Sequence, residues 1–185
     1  MCQSANLLPG ENGTVQLASA LEECICLESL TLNNCSLGLT FGLPRLAEAL
    51  TRCAALQELR LDGNGFGDHQ TSILASALRQ CSELRALSLA WNNIRADGAQ
   101  HLSDLLRHTP NLMSLDLSAN ELGGRGAQAV ASALAHCAQL AQLSLNHNDL
   151  EDEAIARLAP LSQACPRLSL LNLSANDLGP SGTRT

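Results

Sequence analysis

A short leucine motif recurs six times along this chain, and no other feature restricts its fold as strongly. The motif is Leu-x-x-Leu-x-Leu-x-x-Asn/Cys-x-Leu, and Phe66 and Ile94 replace its last leucine in two copies. The first leucines of the copies are Leu27, Leu56, Leu84, Leu112, Leu140 and Leu168. Successive copies are separated by 29 residues once and by 28 residues four times. Such a period predicts a stack of similar structural units.

Each unit has the pattern of a strand followed by a helix. Leu30 and Leu32 alternate with Thr31, which predicts a strand with one buried face. In most units, leucines ten and six positions before the motif lie four residues apart, on one face of a helix. The sequence therefore predicts an α/β leucine-rich repeat solenoid, a horseshoe with a parallel β-sheet on its concave face and helices on its convex face.

The turn after each strand carries an asparagine in five units and Cys35 in the first unit. An asparagine at this point can hydrogen-bond backbone groups where the chain leaves the strand. Repeats of 28 or 29 residues with an Asn or Cys turn, a full helix and a Cys before the strand resemble the ribonuclease-inhibitor-like class. The uniform run of 28-residue Asn units is similar to the C-terminal leucine-rich repeat domain of NOD-like receptors.

This resemblance implies a non-enzymatic module of an innate-immune regulator. Such a module senses a ligand, binds protein partners or contacts other domains of the same receptor. One alternative is a stand-alone inhibitor or scaffold that binds proteins through the concave face. A third is a Ran-type GTPase-activating repeat protein, for which Arg95 lies near a repeat edge, although the chain lacks the long acidic tail of that family.

The repeats are expected to span residues 13–182, between an N-terminal segment at residues 1–12 and a tail at residues 183–185. The helical pattern at residues 13–26 has no strand motif before it, and the last unit stops where its helix would begin. Open ends of a solenoid expose apolar surface. The pattern therefore predicts self-association through uncapped repeat ends.

Charge and composition exclude several classes of ligand. The chain has 11 basic and 18 acidic residues and a net charge of −7, which disfavours direct binding to nucleic acid. No apolar run is long enough to cross a membrane. One column of cysteines lies three positions before the strand motif, at Cys24, Cys53, Cys81, Cys137 and Cys165. Buried, reduced thiols are expected there, which favours a cytoplasmic or nuclear location.

No pattern of catalytic chemistry is found in the sequence. It has no nucleophile elbow and no phosphate-binding loop, and its cysteines lack the paired spacing of a zinc site. His101, Asp104 and His108 share one side of a helix and are interpreted as a solvated face. We therefore predict no catalytic residue, no cofactor and no metal.

The concave face is the predicted protein-binding surface. Between the strand leucines it presents small polar residues with few charges. Trp91, the only tryptophan, precedes the turn asparagine of its unit and is either an exposed hot spot or packed over the adjacent turn. The predicted binding residues are Arg60, Asp62, Arg85, Trp91, Met113, Asp116 and His147.

Overall fold

The computed structural model describes residues 10–176 and Gly179. The strands are β1 (Ser29–Thr31), β2 (Glu58–Arg60), β3 (Ala86–Ser88), β4 (Ser114–Asp116), β5 (Gln142–Ser144) and β6 (Leu170–Asn172). The helices are α1 (Gly10–Leu21), α2 (Leu43–Leu50), α3 (Asp68–Leu78), α4 (Ala96–Leu106), α5 (Gly123–Leu134), α6 (Asp152–Leu158) and α7 (Leu161–Ala164). We call each strand and the turn and helix that follow it a unit, numbered 1 to 6 with its strand.

The six strands form one parallel sheet in the order β1 to β6. Each strand pairs with the next in the same register, so that Leu30, Leu59 and Leu87 lie side by side. These leucines are buried, and each helix packs against its neighbours along the stack. The predicted solenoid with a parallel sheet is confirmed, because the repeat period sets the pairing partner of every strand.

Asparagines in the turns connect each unit to the one before it. Asn64 Oδ1 accepts hydrogen bonds from the backbone N–H groups of Cys35 and Leu37, at 3.0 and 3.2 Å. Its Nδ2 donates to the Leu32 carbonyl at 2.8 Å. Asn92, Asn120, Asn148 and Asn176 occupy the same position, and we call these five side chains the asparagine ladder. The ladder supplies partners to backbone groups that are buried in the turns.

The first unit differs from the others in its turn. Its one additional residue falls between Leu37 and Leu46, where the chain forms a 3₁₀ turn at Leu37–Leu39 before α2. Cys35 replaces the turn asparagine, is buried, and donates through Sγ to the Asn33 carbonyl at 3.4 Å. Cys35 is therefore a small, buried substitute for asparagine at this position.

The helical part of unit 5 is divided into α6 and α7. Pro160 lies between the two helices, and proline lacks the N–H group that a continuous helix would use. Ser162 replaces the leucine found at this position in the other units, and it is exposed. The helix pattern is thus weakest in this unit.

The cysteine column is buried except at its first member. Cys81 Sγ donates to the carbonyls of Leu50 and Cys53 in the preceding turn, both at 3.6 Å. Burial raises the pKa of Cys81 to about 11 and that of Cys137 to about 12, so both thiols are protonated at neutral pH. Cys24 is exposed, which differs from the expectation of burial, because no described unit precedes it to cover the thiol.

Two predictions concern membrane-spanning helices and the extent of the repeats. None of the described helices is long and apolar enough to span a membrane. Helix α1 begins at Gly10, three residues before the predicted start of the repeats. The predicted repeat end at residue 182 and the tail at residues 183–185 lie outside the described residues.

Candidate protein-binding surface

The sheet is covered by helices on one face only. In the described part of the chain, its other face carries the side chains that alternate with the buried leucines, and these are exposed or half-buried. They are Thr31, Arg60, Ser88, Asp116, Ser144 and Asn172. Parallel sheets usually have both faces covered. We call this open surface the concave face.

Both predicted acidic residues of the concave face are held by hydrogen bonds within the fold. Asp62 Oδ1 accepts from the Ser88 hydroxyl, and from the Ala90 N–H at 3.0 Å. Asp116 Oδ1 accepts from the N–H and hydroxyl of Ser118, at 2.9 and 2.6 Å. Each carboxylate is half-buried and fixes the chain as it leaves a strand, a role that was not expected from the sequence.

Of the basic and apolar candidates, Arg60 is the last residue of β2, whereas Arg85 and Met113 immediately precede β3 and β4. Arg60 is exposed and its Nε donates to Glu58 Oε1 at 2.6 Å on the same strand. Arg85 and Met113 are neighbours, because the Met113 N–H donates to the Arg85 carbonyl at 2.8 Å. Met113 is 44% exposed. Arg85 and Met113 give the concave face a partly apolar, basic margin at the start of the strands.

Trp91 and His147 lie at the opposite end of the strands, so they form a group separate from Arg85 and Met113. Both are exposed, and Trp91 is 69% exposed, so its side chain is not packed against the turn, and its role as a binding hot spot stays a prediction. The backbone at Trp91 is left-handed, with φ of 57°. Gly63 and Ala119 hold the same conformation in the adjacent units, so the turn geometry does not depend on the indole ring.

Two exposed residues near this end were missed by the sequence analysis. Leu39 is 81% exposed and Phe41 is 88% exposed, in the strand-to-helix turn of unit 1. They border a cleft of about 260 Å³ that His69 and Ile73 also line. The additional residue of unit 1 was the available signal, because an insertion in a packed repeat forces side chains outward.

The remaining charged candidates are explained by contacts within the fold. Arg95 Nε donates to Glu121 Oε2 at 2.8 Å, and this bond lowers the pKa of Glu121. Asp104 forms ion pairs with Arg79 and Arg107 at 3.9 and 3.8 Å. Among the described residues, no group of three or more His, Cys, Asp or Glu side chains is placed to bind a metal.

Solved structures with a similar fold include domains of leiomodin-1 and of tropomodulin. Leiomodin-1 actin-binding site 2 superimposes with a TM-score of 0.63 at 18% identity, covering 83% of this chain and 86% of that one. The tropomodulin C-terminal domain of Caenorhabditis elegans superimposes with a TM-score of 0.62 at 17% identity, covering 81% and 92%. These similarities support the leucine-rich-repeat-like fold.

No curated protein matches this sequence. Residues 17–132 match the family model described as the PRAME C-terminal domain. This match includes the predicted binding residues from Arg60 to Asp116 and the exposed pair Leu39 and Phe41. Because the match extends over well more than half of the sequence, the chain belongs to the PRAME C-terminal domain family.

Proposed function

We propose that this chain is a non-enzymatic protein-binding module that uses its concave face. The observation that carries the proposal is the open face of a six-stranded parallel sheet. Its polar side chains are already oriented by hydrogen bonds within the fold, as at Asp62 and Asp116. Orientation before binding lowers the entropy cost of association.

Affinity enrichment from cells tests this proposal when it compares two variants of the full chain. The concave variant carries Arg60→Ala and Met113→Ala, and the convex control carries Gln100→Ala and His101→Ala. All four side chains are exposed, so both variants should remain folded. A protein retained by the wild type and the control should be lost by the concave variant.

A purified partner then measures the effect directly. We expect the dissociation constant to rise at least tenfold in the concave variant and to stay within twofold in the convex control. Partners that are lost only by the convex control would refute the concave face as the binding surface. Trp91→Ala tests separately the group at the opposite end of the strands, since Ala119 shows that alanine fits this backbone position.

Actin is a second candidate partner. The fold similarity to leiomodin-1 actin-binding site 2, over most of both chains, favours this choice. Cosedimentation with filamentous actin and inhibition of monomer polymerisation would test it. Actin binding that is unaffected by the concave variant would place the contact elsewhere, and absence of binding in both assays would dismiss actin.

A role in a NOD-like receptor is the more specific proposal. The uniform 28-residue asparagine units support it, and under this proposal other domains of the same receptor are partners of the repeats. The stand-alone inhibitor and the Ran-type activator stay as alternatives. A Ran-type role gains no support from Arg95, because its guanidinium group is bonded to Glu121.

The location and self-association of the chain belong to the same proposal. Four buried cysteines of the column, Cys53, Cys81, Cys137 and Cys165, are thiols, which supports a reducing cytoplasmic or nuclear compartment. Self-association through the repeat ends predicts a mass above that of the monomer in light scattering at micromolar concentration. A monomeric mass across that range would contradict it.

A further inference from the structure

We infer that the strand-to-helix turns form a second binding surface, and that it takes a basic, amphipathic peptide segment of a protein partner. This inference rests on the proposed function and names the surface and the chemistry of a partner. We call the surface the turn edge. In each of units 1 to 5 it comprises the residues from Trp91, or from the corresponding position of that unit, to the first turn of the following helix.

The apolar part of the turn edge lies in units 1 and 3. Phe41, Leu39 and Trp91 are 88, 81 and 69% exposed, more than any other large apolar side chain of the described residues. Isolated exposed apolar side chains are common on protein surfaces. Here the three most exposed lie on one edge of the solenoid, and they include two of the three aromatic residues of the chain. This concentration indicates an interaction surface.

A cleft beside Phe41 can receive an apolar side chain. It has a volume of about 260 Å³ and is lined by Leu39, Phe41, Leu43 and Ile73, with His69 at its rim. Leu43 is buried and Ile73 is half-buried, so the cleft reaches the apolar core between α2 and α3. A leucine or phenylalanine side chain of a partner would be largely desolvated there.

The charge of the turn edge indicates which polar side chains the bound segment carries. The turns and first helical turns of units 1 to 5 carry six described carboxylates and three guanidinium groups. They are Asp68, Asp97, Glu121, Asp149, Glu151 and Asp152, against Arg45, Arg95 and Arg125. Arg45 is already paired with Glu48, and Arg95 with Glu121. The excess negative charge favours lysine and arginine in the bound segment.

The distribution of these groups gives the segment a direction. The apolar anchors are in units 1 and 3, whereas three of the carboxylates are in unit 5. Units are about 5 Å apart at the sheet and about 10 Å apart at the helices, so the edge from unit 1 to unit 5 is roughly 20 to 40 Å long. A bound segment would place its apolar residues near Phe41 and its basic residues near Glu151.

Peptide selection on the full chain tests this inference. A displayed library of random 16-residue peptides is selected against the wild type, and the enriched peptides are synthesised and titrated. We expect two large apolar residues near one end and lysine or arginine near the other. Enriched peptides that are acidic, or a selection that yields no peptide dependent on the turn edge, would overturn the inference.

Three variants identify the surface that binds the selected peptides. Leu39→Gln with Phe41→Gln should raise the dissociation constant at least tenfold without loss of folding, since both side chains are almost fully exposed. Asp97→Asn with Glu151→Gln should raise it three- to tenfold at low salt and less at high salt. The concave variant should leave it within twofold.

The outcomes separate this inference from the proposed function. Loss of peptide binding in the concave variant alone would refute the turn edge and leave the concave-face proposal intact. Loss in the Leu39 and Phe41 variant and in the Asp97 and Glu151 variant, with no loss in the concave variant, supports the turn edge. Peptides whose affinity is unchanged in all three variants would refute the turn edge and leave the concave-face proposal to its own assay.

Discussion

Replacing Asn92 by alanine should destabilise the protein strongly, although the change removes only three non-hydrogen atoms. Asn92 is 6% exposed and is the second of the five asparagines of the ladder. Its Oδ1 accepts from the N–H groups of Asn64 and Phe66 in the preceding unit, both at 3.0 Å. Its Nδ2 donates to the Leu61 carbonyl at 3.1 Å and to two carbonyls of its own turn. Alanine leaves all of these backbone groups without that partner.

The size of the destabilisation follows from the two backbone N–H donors that lose their acceptor. Each buried donor without a partner costs about 1 to 3 kcal/mol, so the free energy of unfolding should fall by roughly 2 to 6 kcal/mol. Domains of ordinary stability unfold with about 5 to 15 kcal/mol. The loss is therefore a large share of the total. Because each unit contacts only its neighbours, the two ends of the solenoid should also unfold less cooperatively.

Urea denaturation followed by far-UV circular dichroism measures both effects. The control is Asn111→Ala, in which an exposed asparagine loses one hydrogen bond, from its Nδ2 to the Ser82 carbonyl at 3.2 Å. We expect the control to lose less than about 1 kcal/mol. A loss below about 1 kcal/mol in Asn92→Ala, equal to that of the control, would refute the assigned role of the ladder.

Three further predictions test other parts of the fold. Gly98→Ala should lower the unfolding free energy by about 1 to 3 kcal/mol, because a Cβ there would lie 2.6 Å from a carboxylate oxygen and 2.8 Å from a core methyl group. Gly124→Ala should raise the unfolding free energy by about 0.5 kcal/mol, because a Cβ there meets only one methyl group, at 3.7 Å. A urea titration in which both variants shift the unfolding free energy in the same direction would refute this reasoning. Cys24→Ser should remove one fast-reacting thiol in a disulfide-exchange assay at pH 8, whereas Cys81→Ser should remove none, and equal fast amplitudes would contradict the assigned burial. The unfolding free energy should fall as pH rises from about 9 towards 12. In this range the raised pKa of Cys137 keeps its proton bound in the folded state only. Cys137→Ala should therefore make the unfolding free energy less dependent on pH.

The fold could be predicted from the sequence because the 28-residue repeat interval determines several independent interactions. The same 28-residue step that aligns Leu59 with Leu87 in the sheet also places Asn64 and Asn92 one above the other. Burial, strand register and turn hydrogen bonds therefore agree. A pattern supported by three kinds of interaction at once leaves few alternative folds.

The candidate site could be predicted only in part, because its residues are those that depart from the repeat. Whether Trp91 was exposed or packed could not be decided from its position, and Phe41 could not be separated from core residues by hydrophobicity. The roles of Asp62 and Asp116 depend on hydrogen bonds to Ser88 and Ser118 that periodicity does not describe. Side-chain direction in the turns depends on local backbone geometry, which the repeat average does not specify.

Departures from the repeat are also the positions at which this fold can specialise without losing stability. Trp91 shares its backbone conformation with Gly63 and Ala119, and the adjacent Asn92 donates to the Leu89 and Ala90 carbonyls of that turn whichever side chain projects from it. A left-handed conformation costs a non-glycine residue about 1 to 2 kcal/mol, which the hydrogen bonds of the ladder offset. The asparagine ladder thus stabilises the fold with side chains that face inward, while the exposed side chains of the turn edge can be substituted to change binding. Selection for binding can therefore act on Phe41 and Trp91 without disturbing the packing of the units beneath them.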